Sequence, residues 1–524
     1  MMKFFKKSLF AIFAIAFLFS SCIPSLPDGS SQKPVETPKD DTSNEEDSSE
    51  KDENSNKNEN SWLKVPSILE TYKNDFDYIG IATEYGNFGL SQIGSNKYTA
   101  TYKKGNWGKP SELYYEEIQN GIKRHANSIT LGNEMKPQFL FGWWNSGDSK
   151  NQTMIDFKAS NGKTIKVPSS LNNENLIYAT LNVAKSMGVK MRGHVLVWHS
   201  QTPDDFFAEN YLAEYNSSQI KNLVSKEEMT ARQEWYIKTV LECVANWENA
   251  NGYGKGNHII LAWDVVNEAT ADDAGNSYSG SSQNWLRGST SKTKDKSPDV
   301  GGSRWYQIYG DEEFIVNAFR FANAYAPSDV KLCYNDYNEY MNYSGGYKTD
   351  AICHLIECIQ NGETKTVNNK SVKPRIDAMG MQSHLGTEWP SVEGYETALK
   401  KFLEKVDVHV SELDFSATSQ KEAANSYSEY FKMFQKYGNK SSSQHKIKNI
   451  TIWGINNENS WINPSSAGKS KTYPLLFNLV DNVKNSTKTV IYDTGTENLP
   501  LYDEGDSYTA NDSFWAVINA YKNN

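Results

Sequence analysis

The chain has 524 residues, room for one large catalytic domain or about two or three average ones, and 13% of them are aromatic, 14 Trp and 30 Tyr included. A formal charge of −10 excludes the basic face that a nucleic-acid partner requires, whereas a neutral polymer tolerates it. The five cysteines, Cys22, Cys243, Cys333, Cys353 and Cys358, are too scattered for a disulfide framework and are expected as thiols; no His/Cys group has zinc-ligand spacing, so neither a metal nor a cofactor is expected.

Lys3, Lys6 and Lys7 precede an uncharged run from Ser8 to Ser21, too short to span a bilayer, which reads as a secretion signal over residues 1–21. The run ends Leu18-Phe19-Ser20-Ser21-Cys22, which resembles the bacterial lipoprotein signal. That resemblance implies lipidation of Cys22 and a bacterial cell-surface protein whose contact with membrane is this anchor. Residues 22–61 are Pro, Ser, Asp, Glu, Asn and Lys with almost no apolar side chains, so they cannot offset the entropy of folding and read as a disordered acidic tether. A single catalytic domain, acting as a monomer, is expected over residues 62–524.

After Trp62 a short apolar run, a polar cluster and an amphipathic stretch recur, as in βα units on a parallel sheet. Eight runs are found: Tyr78 to Ala82, Ala126 to Leu131, Met191 to Val197, Ile259 to Val266, Val330 to Tyr334, Ile376 to Met381, Val406 to Val410 and Ile450 to Ile455. Between them, Ile237, Val240, Leu241 and Val244 show the apolar i, i+3, i+4, i+7 spacing of a helix. Eight units favour closure into an α/β fold, the (β/α)8 TIM barrel, in which chemistry collects past the C-terminal ends of the strands.

Those ends are unusually polar. Asn133, Glu134 and Lys136 follow the second run; His194, Trp198, His199 and Gln201 lie at the third; Asn267 and Glu268 at the fourth; Asn335 and Asp336 at the fifth. Gln382 and His384, then Glu412 and Asp414, then Trp453 and Trp461 complete the series. Any one could be a satisfied rim group; seven consecutive strands ending this way point to a site. Glutamates on the fourth and seventh strands face each other across the mouth, as in retaining glycosidases, whose two carboxyls stand about 5–5.5 Å apart. Asn267, placed to hydrogen-bond a sugar 2-hydroxyl, marks Glu268 as acid/base. His384, beside Glu412 and Asp414, would keep Glu412 ionised as nucleophile, and the Glu412 charge would in turn keep Glu268 protonated.

The segments Trp263-Asp264-Val265-Val266-Asn267-Glu268-Ala269 and His409-Val410-Ser411-Glu412-Leu413-Asp414 resemble the two catalytic segments of glycoside hydrolase family 10. Asn133 to Pro137, His194 to Gln201, Tyr334 to Asn338, Gly380 to His384, Trp453-Gly454 and Ser460-Trp461 are similar to further blocks of that family, in its order. The resemblance implies a retaining endo-β-1,4-xylanase acting on xylan and xylo-oligosaccharides. It implies that Asn133, Glu134, Lys136, Gln201 and Trp453 bind glycone sugars, that His194, Trp198 and Trp461 surround the reacting one, and that Gln382 and Tyr334 lie near the aglycone side. A β-1,4-glucanase on the same scaffold, or an inert surface xylan-binding protein, would share much of this pattern.

Three segments exceed the family pattern. In 138–170, Asn161-Gly162 reads as a tight hairpin turn, and Trp143 or Trp144 either extends the glycone sites or staples the insertion to the barrel. Residues 271–302 read as a Gly, Ser and Lys-rich loop on the aglycone side. Residues 485–513 delay a last helix, expected over 514–521.

Overall fold

A computed structural model describes residues 59–84, 90–94, 97–100, 116–272, 284–290, 292–341, 347–463, 472–479, 487–492, 495–500 and 508–522. The signal segment, Cys22 and the tether up to residue 58 lie outside the described residues. Eight strands form the centre: β1 (Tyr78–Thr83), β2 (Ser128–Leu131), β3 (Lys190–Trp198), β4 (Ile260–Asn267), β5 (Lys331–Asp336), β6 (Ala378–Met381), β7 (Asp407–Ser416) and β8 (Ile447–Ile452). Each pairs in parallel with the next, and the pairing of Tyr78 with Asn449 closes β1 onto β8. Eight helices cover the ring: α1 (Glu116–His125), α2 (Glu174–Met187), α3 (Lys226–Ala250), α4 (Glu313–Tyr325), α5 (Lys348–Gln360), α6 (Val392–Leu403), α7 (Gln420–Lys436) and α8 (Asp512–Lys522). The expected (β/α)8 barrel is therefore the observed one, and all eight apolar runs became its strands.

Alternation along the strands divides two environments. Ile79, Ile81, Ile129, Leu131 and Val265 are buried in the apolar cluster shared with the helices. The intervening side chains are small or polar and fill the barrel. A Cβ at Gly80 would stand 2.5 Å from the Thr451 hydroxyl, and one at Gly380 would stand 2.3 Å from Asn335 Oδ1, so glycine is what lets the interior close at these two points. Lower in the barrel Arg192 is 1% exposed; its Nε donates to Asp264 Oδ2 at 2.9 Å and its Nη1 to His409 Nδ1 at 2.7 Å. Burial, with the Arg192 charge beside it, pushes His409 well below the usual imidazole range, so His409 is the neutral acceptor of that pair.

The insertions are built onto this frame. Within 138–170 the strands 154–158 and 164–168 pair antiparallel; beyond them the Ala159 N–H donates to the Lys163 carbonyl at 2.8 Å and the Gly162 N–H to the Ala159 carbonyl at 3.0 Å, so the hairpin closes in the expected tight turn, with Gly162 at φ +86°. The turn is held on α3 through Ser160, whose N–H donates to Glu234 Oε2 at 2.8 Å and whose hydroxyl donates to Oε1 at 2.5 Å. Trp143 is 2% exposed and stacks on Phe141 at 4.6 Å, so it staples the insertion to the barrel. Strands at 90–94 and 97–100, in the connection after β1, form one four-stranded sheet with 487–492 and 495–500 from the last connection. Of these two connections, sequence patterning singles out only the later one, as the 485–513 extension that delays the last helix. Cys243, Cys333 and Cys353 are buried thiols, and Cys358 is half-buried.

Candidate active site

Two backbone irregularities aim the central carboxylates. Past Asn267 the chain turns into the left-handed region, Glu268 at φ +53°, and the Glu268 N–H donates to the Asn335 carbonyl at 2.8 Å. On β7 the pairing with β8 skips between Val410 and Leu413, a bulge that places Glu412 at the barrel mouth.

Glu268 is surrounded by donors: Trp198 Nε1 reaches Oε2 at 3.0 Å, while Gln382 Nε2 and Asn267 Nδ2 reach Oε1 at 2.9 and 3.1 Å. Burial nonetheless pushes its pKa above the ordinary carboxylate value, opposed by the Arg287 charge and the Gln382 hydrogen bond and aided by Asp336 and Glu412. The sequence reading gave that effect to Glu412; burial is the larger cause. Glu412 shifts the opposite way. Burial would raise it too, but hydrogen bonds from His384 and Asn335 and the charges of His194 and His384 hold it below the ordinary value. His384 Nε2 donates to Glu412 Oε2 at 3.3 Å and Nδ1 to Asp414 Oδ1 at 2.7 Å; Trp461 Nε1 donates to Asp414 Oδ2 at 2.7 Å. Between the two glutamates, Asn335 Nδ2 donates to Glu412 Oε1 and to Asn267 Oδ1, both at 2.8 Å. Asn335 thereby couples the two strand ends.

The remaining expected residues divide by where they point. Lys136 Nζ stands 4.8 Å over the Trp198 ring and donates to Asn133 Oδ1 at 3.1 Å. Burial lowers its pKa, against the pull of Glu412, Glu268, Glu84 and Glu134. His194 Nδ1 meets Asp264 Oδ2 at 2.9 Å, and Trp453 lies edge-on to His194 and His384 at 5.8 and 6.2 Å. Trp461 is 38% exposed at the rim. Gln201, at φ +44°, accepts the Gln138 N–H on its carbonyl at 2.8 Å. Glu134 is 2% exposed, and the surface carboxylate that meets Asn133 is Glu84, accepting from Asn133 Nδ2 at 2.7 Å.

Tyr334 departs from its expected aglycone position. It is fully buried, and its hydroxyl accepts the Ala269 and Thr270 N–H groups, both at 3.0 Å, and donates to Asp336. Its outward register on β5, opposite in sense to its neighbour Asn335, buries it in the apolar layer beneath the loop that follows Glu268, where it holds backbone. Two residues escaped the sequence reading. Glu84 stands two residues past the first run, directly after β1, and the strand-end rule applied there would have found it. Arg287 sits in the 271–302 loop; its Nε donates to the Glu268 carbonyl at 2.7 Å and its Nη2 to the Tyr337 hydroxyl at 2.9 Å. No periodicity signals a residue delivered by a loop.

Among the described residues no group of three or more His, Cys, Asp or Glu side chains is arranged to hold a metal ion. The site is a cleft of two carboxyls with opposed proton affinities, amides between them and indoles around them, suited to acid-assisted nucleophilic displacement.

The family model described as Glycosyl hydrolase family 10 matches residues 70–492. The chain is 31% identical over 423 residues to endo-1,4-beta-xylanase Y of Acetivibrio thermocellus, an alignment covering 78% of this chain and 33% of that protein. It is 27% identical over 440 residues to the beta-1,4-xylanase of Dictyoglomus thermophilum, covering 81% and 90%. The chain thus spans about a third of the first relative and most of the second. Among solved structures it is similar to the N-terminal endo-1,4-beta-D-xylanase 10B of Clostridium thermocellum complexed with xylohexaose, with a TM-score of 0.57 and 27% identity over 86% of this chain and 67% of that one.

Proposed function

The chain belongs to glycosyl hydrolase family 10, and from that membership we propose that it is a retaining endo-β-1,4-xylanase. Glu412 attacks the anomeric carbon of an internal xylosyl unit while Glu268 gives its proton to the departing glycosidic oxygen. A glycosyl-enzyme ester forms and the chain is cut. Glu268, now a carboxylate, takes a proton from water, whose oxygen displaces Glu412 and restores the configuration. The observation that carries this reading is the opposed shift of the two carboxyls, Glu268 upward and Glu412 downward. A proton is thereby available on one side and an electron pair on the other in the same pH range.

The substrate is assigned as xylan and xylo-oligosaccharides, supported by the relatives named as xylanases and by the xylohexaose complex. Reducing-sugar release from xylan against carboxymethylcellulose tests it; a preference for cellulose would sink the assignment. The roles are tested with an aryl xyloside bearing a good leaving group. Glu268→Ala should still form the glycosyl-enzyme, whereas Glu412→Ala should be inert, and equal loss in both would reverse the assignment. We also infer from the sequence that Cys22 anchors the enzyme to a bacterial surface; palmitate labelling that persists in Cys22→Ser would refute this.

A further inference from the structure

Segment 138–170 and residues 297–299, separate in sequence, line one cavity with the residues past the end of β3. Trp144 of the first and Ser297 and Asp299 of the second face each other across a cavity of about 320 Å³, with His199 and Gln201 on its inner wall. That volume falls at the lower end of small-molecule sites. The cavity adjoins the reacting centre, since His199 Nδ1 is 4.0 Å from Glu268 Oε2.

Its rim offers two restrained rings. Tyr215 is 43% exposed, and its hydroxyl donates to Asp204 Oδ2 at 3.2 Å. Trp144 lies edge-on to Phe139 at 5.0 Å, and its backbone N–H donates to Asp148 Oδ2 at 2.8 Å. Held aromatic faces beside polar walls suit the C–H face of a sugar. The charge is one-sided: the lining holds Asp204, Asp205 and Asp299 against Arg304, three carboxylates and one guanidinium. Arg304 is already engaged, its Nε and Nη2 donating to Asp204 at 3.0 Å each and its Nη1 to Gln307 Oε1 at 3.2 Å. A carboxylate-bearing sugar would therefore meet repulsion with no cation in the lining to receive it.

We propose that this cavity is an additional substrate site that holds one neutral pentose unit of a xylan beside the cleft and turns away a uronic-acid unit. The inference rests on the xylanase reading. The pentose comes either from a branch on the main chain or from the next main-chain sugar, and the substrates below separate the two.

Trp144→Ala and Tyr215→Ala, made in the full chain, remove the rings without touching the groups that hold Glu268 and Glu412. For each variant kcat/KM is measured on linear xylotetraose, linear xylohexaose, and arabinosyl- and glucuronosyl-branched xylo-oligosaccharides. Xylotetraose should stay within about twofold of wild type. The arabinosylated substrate or the hexaose should fall roughly fivefold to tenfold, the size of a lost aromatic contact. Loss confined to the arabinosylated substrate identifies a branch as occupant; loss on the hexaose identifies the main chain. Unchanged values on every neutral substrate, a loss equal on xylotetraose, or a loss as large on the glucuronosylated substrate would overturn the proposal. If the wild type leaves linear xylohexaose intact, the xylanase reading fails and this site with it; if the wild type cleaves it and the variants are indifferent, only this site fails.

Discussion

His384 is a cation held between two carboxylates. Burial alone would lower its pKa, but Asp414 and Glu412 outweigh burial and lift it to about 10. Its folded value lies above the unfolded value of about 6.5, so its stabilisation is fully present below about pH 6.5 and is lost as pH rises through about 10. In His384→Gln the decline of the melting temperature across that window should flatten. The same change removes a donor from Glu412, so the acidic limb of the kcat/KM profile should move to higher pH; an unmoved limb would mean that His384 does not set the nucleophile's ionisation. Residues of this kind were legible in the sequence because each reacting group has its partner one or two positions away or on the adjacent strand, as Asn267 beside Glu268 and Asp414 beside Glu412. Arg287 and Tyr334 were not, since one arrives on a loop and the other holds the backbone of the loop after Glu268 instead of facing the cleft.

At the level of elements, the strand end and the loop after it are one unit. Tyr334→Phe keeps the ring but strips the acceptor from two buried N–H groups beyond Glu268, and should cost about 1–3 kcal/mol of stability. Activity should fall with it, through kcat rather than KM, because the displaced element is the one that aims the proton donor; denaturant unfolding and steady-state kinetics on a linear xylo-oligosaccharide check both. Trp143 behaves differently from its neighbour. Enclosed by Phe141 and Tyr211, it should cost about 3–5 kcal/mol on replacement by Ala, with product lengths from linear xylan unchanged among the enzyme that remains folded. Sequence periodicity found every barrel strand, because each is a buried run with helical spacing on either side. It missed the four-stranded sheet, whose partners are about 390 residues apart and whose edges lack a continuous apolar run.

At the scale of the whole molecule, Trp62 ties the first described residues to the domain. Its indole is fully buried, donates to Glu117 Oε1 at 3.0 Å and lies edge-on to Tyr508 at 4.8 Å. A chain starting at residue 59 should melt where the full chain does and hydrolyse soluble xylo-oligosaccharides at the same rate, while removal through Trp62 should lower the melting temperature by several degrees, as calorimetry would show. The two ends of the domain also clasp each other: Ser61 bridges to Thr509, and the Tyr72 hydroxyl donates to the Val517 carbonyl at 2.6 Å. A ring whose last strand bonds to its first, and whose terminal segments meet on its flank, has no privileged starting point. The chain could be reopened at the 159–163 turn and spliced by a short linker from its last helix to residue 59, and the circularly permuted polypeptide would inherit the same arrangement of carboxylates.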